Sequence, residues 1–327
     1  MRAVVASRPG GPEVLELVSL PDPQPGPGEV VVAVAVAGVN FIDTYRRSGV
    51  YATTYPHVVG SEGSGRVVTV GEGVASPAVG QRVCWATNAG SYAELAVVKA
   101  SDAMLVPDEV DDTAAAALSM QGLTAHYLTA STVPLEPGDD VLLTAAAGGV
   151  GLLATQLATL RGARVIGTVG SPEKEALARG AGAAEVIRYR ELADLTRDLP
   201  PLVRSLTDGV GVRVAYDSVG KDTFDASLAS IKPRGTLVLF GGSSGQVPAF
   251  DLQRLNAAGS LYVTRPGLGS YLLTRDELDW RASEVFELAA AGRLQVRIGA
   301  SFALSAAADA HRALESRATT GKVVLTV

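Results

Sequence analysis

The segment that most restricts this 327-residue chain runs from Val141 to Gly151. An apolar run, Val141-Leu142-Leu143-Thr144, passes into Ala145-Ala146-Ala147-Gly148-Gly149-Val150-Gly151, and helical spacing follows. Read as G-x-G-x-x-G, the three positions are Ala146, Gly148 and Gly151, with alanine at the first. Small residues let a backbone turn sharply and approach a pyrophosphate, and the helix behind them offers unpaired N–H groups and a positive dipole end. Ala147, Gly148, Gly149 and Val150 are therefore candidate cofactor contacts. Gly151 is expected to let helix and strand pack closely. Such a turn alone is also found as an ordinary strand–helix junction. The strand before it, the helix after it and a second strand within about 20 residues give it weight.

That turn sits within alternating strands and helices. Strands are expected at Asp140–Ala145, Ala163–Val169, Glu185–Arg188, Val212–Ser218, Thr236–Phe240 and Ser260–Val263. Helices are expected at Val150–Leu160, at Pro172–Gly180 behind a Ser171 cap, and at Glu191–Leu206, the last interrupted by Pro200-Pro201. Six strands in βαβ order predict a parallel sheet covered on both faces. The first 120 or so residues differ: short valine-rich runs (Glu29–Ala37, Gly65–Val70, Gln81–Ala86, Tyr92–Val98) are punctuated by glycine and proline, predicting a β-rich, partly barrel-like domain. The last 60 residues carry two helical stretches, Asp276–Ala291 and Ser305–Ser316, and a strand, Lys322–Val327. A segment of about 60 residues is marginal as a domain, so it is expected to complete the first one.

The end of the second strand of the cofactor unit selects the nucleotide. An Asp or Glu there accepts hydrogen bonds from a ribose 2′-OH. Here the strand ends Thr168-Val169-Gly170-Ser171, and the first acid, Glu173, is already inside the next helix beside Lys174. Nothing at the strand end repels a 2′-phosphate and a lysine is placed to attract one, which argues for NADPH over NADH. Only five of the 28 basic residues are lysine. Tyr189 and Arg190, at the end of the third strand, are placed to add a phenol and a guanidinium.

Composition removes other function classes. A net charge of −6 argues against a nucleic-acid or anionic-membrane partner. One cysteine, Cys84, and three histidines, His57, His126 and His311, exclude a four-cysteine zinc site and any internal disulfide. The most apolar stretch, Val30–Val39, falls short of the roughly 18 residues that span a bilayer, and no leader segment is evident. A soluble, cytoplasmic protein is expected. No G-x-S-x-G elbow supports a hydrolase.

Several blocks carry a resemblance: Gly10-Gly11-Pro12-Glu13-Val14-Leu15, Asn40-Phe41-Ile42-Asp43-Thr44-Tyr45-Arg46 followed by Gly49-Val50-Tyr51, Ala145–Gly151, Tyr216-Asp217-Ser218-Val219-Gly220, Gly259–Pro266 and Leu314–Lys322. With these the chain resembles, end to end, the zinc-free NADPH:quinone oxidoreductases, the zeta-crystallin-like group of the medium-chain dehydrogenase/reductase superfamily. The resemblance implies an α/β protein with a GroES-like β-rich catalytic domain (1–121 and 267–327) and a Rossmann NADPH-binding domain (122–266). It also implies a homodimer. Zinc alcohol dehydrogenases of that superfamily carry a cysteine ligand near the position of Asn40 and a histidine in a Gly-His-Glu stretch. This chain has Gly60-Ser61-Glu62-Gly63 there, so no metal site is expected, and Cys84 reads as a small core residue.

By the same resemblance Asn40, Tyr45 and Thr124 line the nicotinamide side, and Tyr51 faces the quinone, as an oxyanion or proton donor or only as a pocket wall. From the residues alone, the Gly-Ser turn that holds Phe240 and Ser243 follows a strand and either covers the cofactor or is an ordinary turn; by the resemblance Val263, Thr264 and Arg265 touch the nicotinamide end and Arg317 reaches the 2′-phosphate. Gly170, Lys174 and Tyr189 complete the cofactor set, while Lys322 is expected to be an ordinary surface residue and Asp43 to fix the loop or a neighbouring arginine rather than act as a base. Hydride transfer mainly needs donor and acceptor held close and aligned, and a quinone needs less activation than a ketone. The expected activity is quinone reduction by NADPH. One alternative is reduction of enone or alkenal C=C bonds on the same scaffold. Another is an NADPH-binding structural or sensing protein.

Overall fold

The computed structural model describes residues 1–327 and divides into two compact units: Met1–Leu123 with Leu272–Val327, and Thr124–Tyr271. The chain begins with β1 (Arg2–Ala6) and β2 (Leu15–Ser19), then β3 (Glu29–Val39) and α1 (Phe41–Ser48). Next come β4 (His57–Val58), β5 (Glu62–Val70), β6 (Arg82–Trp85), β7 (Leu95–Lys99), β8 (Met104–Leu105) and α2 (Asp112–Ala117). Strands β2, β1 and β4 form a small antiparallel sheet. The valine run of β3 is buried along almost its whole length because it pairs with both β5 and β7 and packs in the core with Val67, Val83, Trp85 and Tyr92. Beyond α2 the turns widen to π geometry at Leu118–Gly122, a feature common near functional sites.

The second unit opens on α3 (Leu123–Tyr127), whose first residue ends the other unit, and continues through β9 (Asp140–Leu143), α4 (Gly149–Leu160), β10 (Arg164–Val169), α5 (Pro172–Gly180), β11 (Glu185–Arg188) and α6 (Leu195–Ser205). It closes with β12 (Val212–Asp217), α7 (Phe224–Ala229), β13 (Ile231–Leu239), α8 (Gln253–Ala257) and β14 (Tyr262–Thr264). All six strands pair in parallel, in the order β11-β10-β9-β12-β13-β14. This is the doubly wound dinucleotide order, with the crossover point beside β9. The helix expected over Glu191–Leu206 is shorter and unbroken. It starts at Leu195 behind an Asp194 cap that accepts from the Arg197 N–H, and it contains both prolines. Burial of Leu199, Pro200 and Val203 offsets the amide hydrogen bonds the prolines remove.

The tail supplies α9 (Arg275–Ala290), β15 (Ile298–Ala303), α10 (Ala307–Glu315) and β16 (Lys322–Thr326). Strand β16 lies between β15 and β3, so the larger sheet of the first unit has seven strands drawn from both ends of the chain.

Candidate functional site

In the second unit the cofactor turn is built by close approach. Ala145 is left-handed, at φ 51°. A Cβ on Gly151 would fall 2.3 Å from the Ala145 carbonyl oxygen, so only glycine lets α4 start this near the turn. A Cβ on Gly167 would fall 2.8 Å from that of Ala146, so the neighbouring strand also yields space. Helix α4 begins at Gly149 with Gly148 as its N-cap and no side-chain cap, leaving its first-turn N–H groups for an anion. Ala147 is buried behind this end, and Gly148, Gly149 and Val150 are half-exposed at it.

Gly170, just past β10, lies against Tyr189 and Arg190, which follow β11. A Cβ on Gly170 would lie 2.8 Å from the Tyr189 hydroxyl and 3.4 Å from Arg190 Nε. Lys174 stands in the first turn of α5, whose N-cap Ser171 accepts from the Lys174 N–H. Partial burial and then the Arg190 charge depress the Lys174 ammonium below its ordinary range. Two cations are thus crowded where no carboxylate ends the strand, an arrangement that a phosphate dianion relieves. Along the same sheet edge the Phe240 N–H donates to the Asp217 carbonyl at 2.8 Å, and the Ser243 N–H to that of Ser218 at 3.2 Å. Asp217 is buried and accepts from Thr223, Ser227 and the N–H groups of Val219 and Gly220, which fixes the turn beneath them. Val263 is on the edge strand β14, Arg265 follows it exposed, and Thr124 is half-buried on α3.

In the first unit, Tyr45 on α1 and Tyr51 just beyond it meet edge to face, with centroids 5.4 Å apart, and the Tyr51 N–H donates to the Tyr45 carbonyl. Tyr51 is 37% exposed. Asn40 caps α1 from the opposite end and is nearly buried. Arg317 follows α10 in a left-handed conformation, separate in sequence and structure element from Tyr45 and Tyr51. A groove of about 670 Å³ between β8 and α9 contains none of the candidate residues.

Behind α1 lies a buried polar network that sequence reasoning largely missed. Lys322 is not a surface residue: it is 1% exposed and forms an ion pair with fully buried Glu62. Its ammonium also donates to Asn40 Oδ1 at 2.8 Å and to the Val39 carbonyl at 3.3 Å. Glu62 Oε1 accepts in addition from Asn40 Nδ2 at 2.7 Å, and Oε2 from the Met120 N–H and the Ser119 hydroxyl. The expectation failed because Lys322 is 260 residues from Glu62 in sequence, so no local pattern announces the pair. The one available hint is that Lys322 opens an otherwise apolar strand whose following residues, Val323, Val324 and Leu325, are all buried.

Asp43 accepts from the Asn40 N–H at 3.0 Å and from the Ser61 hydroxyl at 2.6 Å, and Ser61 in turn accepts from Arg46. Asp43 thus fixes the start of α1, while the neighbouring arginine reaches Ser61. Burial raises the Asp43 carboxyl to about 6. Tyr92 donates to Asp43 and receives His311 Nε2 at 3.2 Å, while Arg47 holds His311 Nδ1 at 3.0 Å and pairs with Glu315. A guanidinium can only donate, so His311 carries its proton on Nε2. Cys84 is fully buried and burial pushes its thiol up, so it stays a protonated core residue. No group of three or more His, Cys, Asp or Glu residues is placed to hold a metal ion.

Two family models match. The "Alcohol dehydrogenase GroES-like domain" covers residues 26–108, and "Zinc-binding dehydrogenase" covers residues 149–286. A quinone oxidoreductase of Pseudomonas aeruginosa is 48% identical over 97% of this chain and 96% of its own length. The crystal structure of Escherichia coli quinone oxidoreductase complexed with NADPH is 42% identical, with a TM-score of 0.97 over all of both chains. A 2-haloacrylate reductase of Burkholderia is 40% identical over 88% of this chain and 87% of its own.

Proposed function

The chain belongs to the quinone oxidoreductase family of the medium-chain dehydrogenase/reductase superfamily, and we propose that it reduces quinones with NADPH and without a metal, using the residues assigned below. The carrying observation is the Lys174–Arg190–Tyr189 cluster against Gly170, with no carboxylate at the strand end. It suits a ribose 2′-phosphate, which distinguishes NADPH from NADH. The turn Ala147–Val150 holds the pyrophosphate, and Gly151 and Gly167 provide the close backbone approach. Thr124, Phe240, Ser243, Val263 and Arg265 are assigned to the remaining cofactor contacts. Arg317 is assigned to the 2′-phosphate by resemblance.

NADPH supplies a hydride when bound, and the chain's own residues handle the acceptor. Tyr51, partly exposed, has its ring braced edge to face by Tyr45. Its phenol is assigned to donate a hydrogen bond to the quinone oxygen that gains charge. Asn40 orients the nicotinamide from the N-terminus of α1.

A zinc ion does not fit the residues present. Both Glu62 oxygens, Asn40 Oδ1 and the Ser61 hydroxyl are engaged by donors or by a buried ammonium. With no Lewis acid to polarise the acceptor, one that takes a hydride unaided is favoured. Because one relative acts on a haloacrylate, reduction of an activated C=C bond is the second reading. The edge strand β14, with Tyr262 63% exposed, supports a homodimer, and the acidic balance fits a cytoplasmic enzyme acting on small molecules.

The cofactor assignment is tested by comparing NADPH with NADH as reductants of 1,4-benzoquinone. NADPH is expected to give at least about tenfold higher kcat/KM, since each lost charge-assisted hydrogen bond costs about 1.5–3 kcal/mol. Lys174→Ala is expected to erase most of that preference. Equal loss with both nucleotides would remove Lys174 from the 2′-phosphate site.

A further inference from the structure

We propose that Lys322 is a positioning residue for quinone reduction: its buried ammonium, with Glu62, locks the Asn40 side-chain amide in one orientation. The inference rests on the assignment of Asn40 to the nicotinamide side.

The three ammonium protons have three acceptors, namely Glu62 Oε1, Asn40 Oδ1 and the Val39 carbonyl. Glu62 has three full donors, Lys322, Asn40 Nδ2 and the Met120 N–H, and the Ser119 hydroxyl lies 3.2 Å from Oε2 while its single proton is shared with the Ala116 carbonyl at 2.8 Å. The ion pair is therefore fully satisfied, the condition under which a buried pair is tolerated. Room for the carboxylate is made by Gly38, where a Cβ would fall 1.9 Å from Glu62 Oε1.

An asparagine amide has two orientations of nearly equal shape, and neighbours decide between them. Here the decision is electrostatic at both ends. As placed, Asn40 Nδ2 faces a carboxylate and Oδ1 an ammonium. Rotation by half a turn would set the amide oxygen against Glu62 and the NH2 group against Lys322, repulsive on both sides in a site from which water is excluded. The backbone is held as well: the Asn40 N–H donates to Asp43, so Asn40 stays in extended geometry at the head of α1. With one amide proton spent on Glu62, the second N–H keeps a single direction. The cation that does this comes from the last strand of the chain, where Val323 pairs with Val39 and sets the register that brings Lys322 beside Asn40.

Replacing Lys322 alone strands the Glu62 carboxylate, so the test removes both charges together. Wild type, Asn40→Ala, Glu62→Gln/Lys322→Met and the triple variant are compared. The readouts are kcat for 1,4-benzoquinone at saturating NADPH, NADPH binding by fluorescence, and the melting temperature. The charge-neutral pair is expected to bind NADPH within about twofold of wild type and to lose about tenfold or more in kcat, the scale set by misplacing a positioning group. The triple variant is expected to turn over no more slowly than Asn40→Ala alone, because the pair acts through Asn40. Multiplying losses, or a charge-neutral pair with wild-type kcat, overturn the proposal. If Asn40→Ala keeps full turnover, the Asn40 assignment itself is wrong, and the proposal goes with it. Should the charge-neutral pair not fold, the question is read on the wild-type chain. Selective ¹⁵N-asparagine labelling marks only Asn40, Asn88 and Asn256. The Asn40 amide is expected to show a proton protected from exchange, and rapid exchange of both protons contradicts the lock.

Discussion

His311 is neutral in the folded chain because burial, and then the Arg47 guanidinium, lower its imidazole to about 3. In the unfolded chain it titrates near 6.5. Between these values the unfolded chain binds a proton that the folded chain refuses, so this group's contribution is complete above about pH 6.5 and is lost as the pH falls toward 3. Asp43 works in the opposite sense. Its carboxyl, raised to about 6 by burial, takes up a proton in the folded chain first, so it favours folding as the pH falls from about 6 toward 3.8. His311→Gln keeps a polar side chain but cannot charge. The stability gap between wild type and this variant, from urea unfolding, is expected to narrow by on the order of 1–2 kcal/mol between pH 7 and pH 5. A gap that stays constant across that range would mean His311 is not held neutral. Neither His311 nor Lys322 could be read from its neighbours in sequence, because each finds its partners through the return of the tail. Arg47 lies 264 positions from His311, and Asn40 lies 282 from Lys322. By contrast, Ser171 as a cap with Pro172 behind it needs only the next three residues, and the helix spans Pro172–Gly180 as expected.

At the scale of elements, short-range signals located the six parallel strands because each is an apolar run between turn residues. Pro200 and Pro201 misled, since a proline's cost inside a helix is visible locally and the burial that offsets it is not. The widened turns at Leu118–Gly122 left no sequence signal. They matter because the first of them presents the Met120 N–H to Glu62. Strand β14 raises a different question. It pairs with β13 on one side only, and Tyr262 and Val263 are exposed on it. An uncovered apolar edge is a template for another strand, and a second copy of the chain offers the same edge across a two-fold axis. Light scattering is expected to give twice the 33.5 kDa chain mass, and Tyr262→Lys to shift the protein toward monomer. A wild-type mass of one chain would remove the dimer.

At the scale of the molecule, the chain divides its work. The second unit carries the parallel sheet and an anion-seeking edge; the first carries the tyrosine pair and a buried ion pair closed by the last strand. The shortage of cysteine and histidine noted in the sequence has a structural counterpart, because a lysine supplies the buried positive charge beside Glu62. On the proposed metal-free reading, that links the makeup of the site to the choice of acceptor, which is expected to be electrophilic enough to take a hydride unaided. Metal-free quinone reduction is checked by steady-state turnover with NADPH in the presence of a zinc chelator, comparing 1,4-benzoquinone with a simple enone. The quinone's kcat/KM is expected to exceed the enone's and to be unchanged by the chelator; a clear preference for the enone, or loss of quinone turnover on chelation, would overturn metal-free quinone reduction.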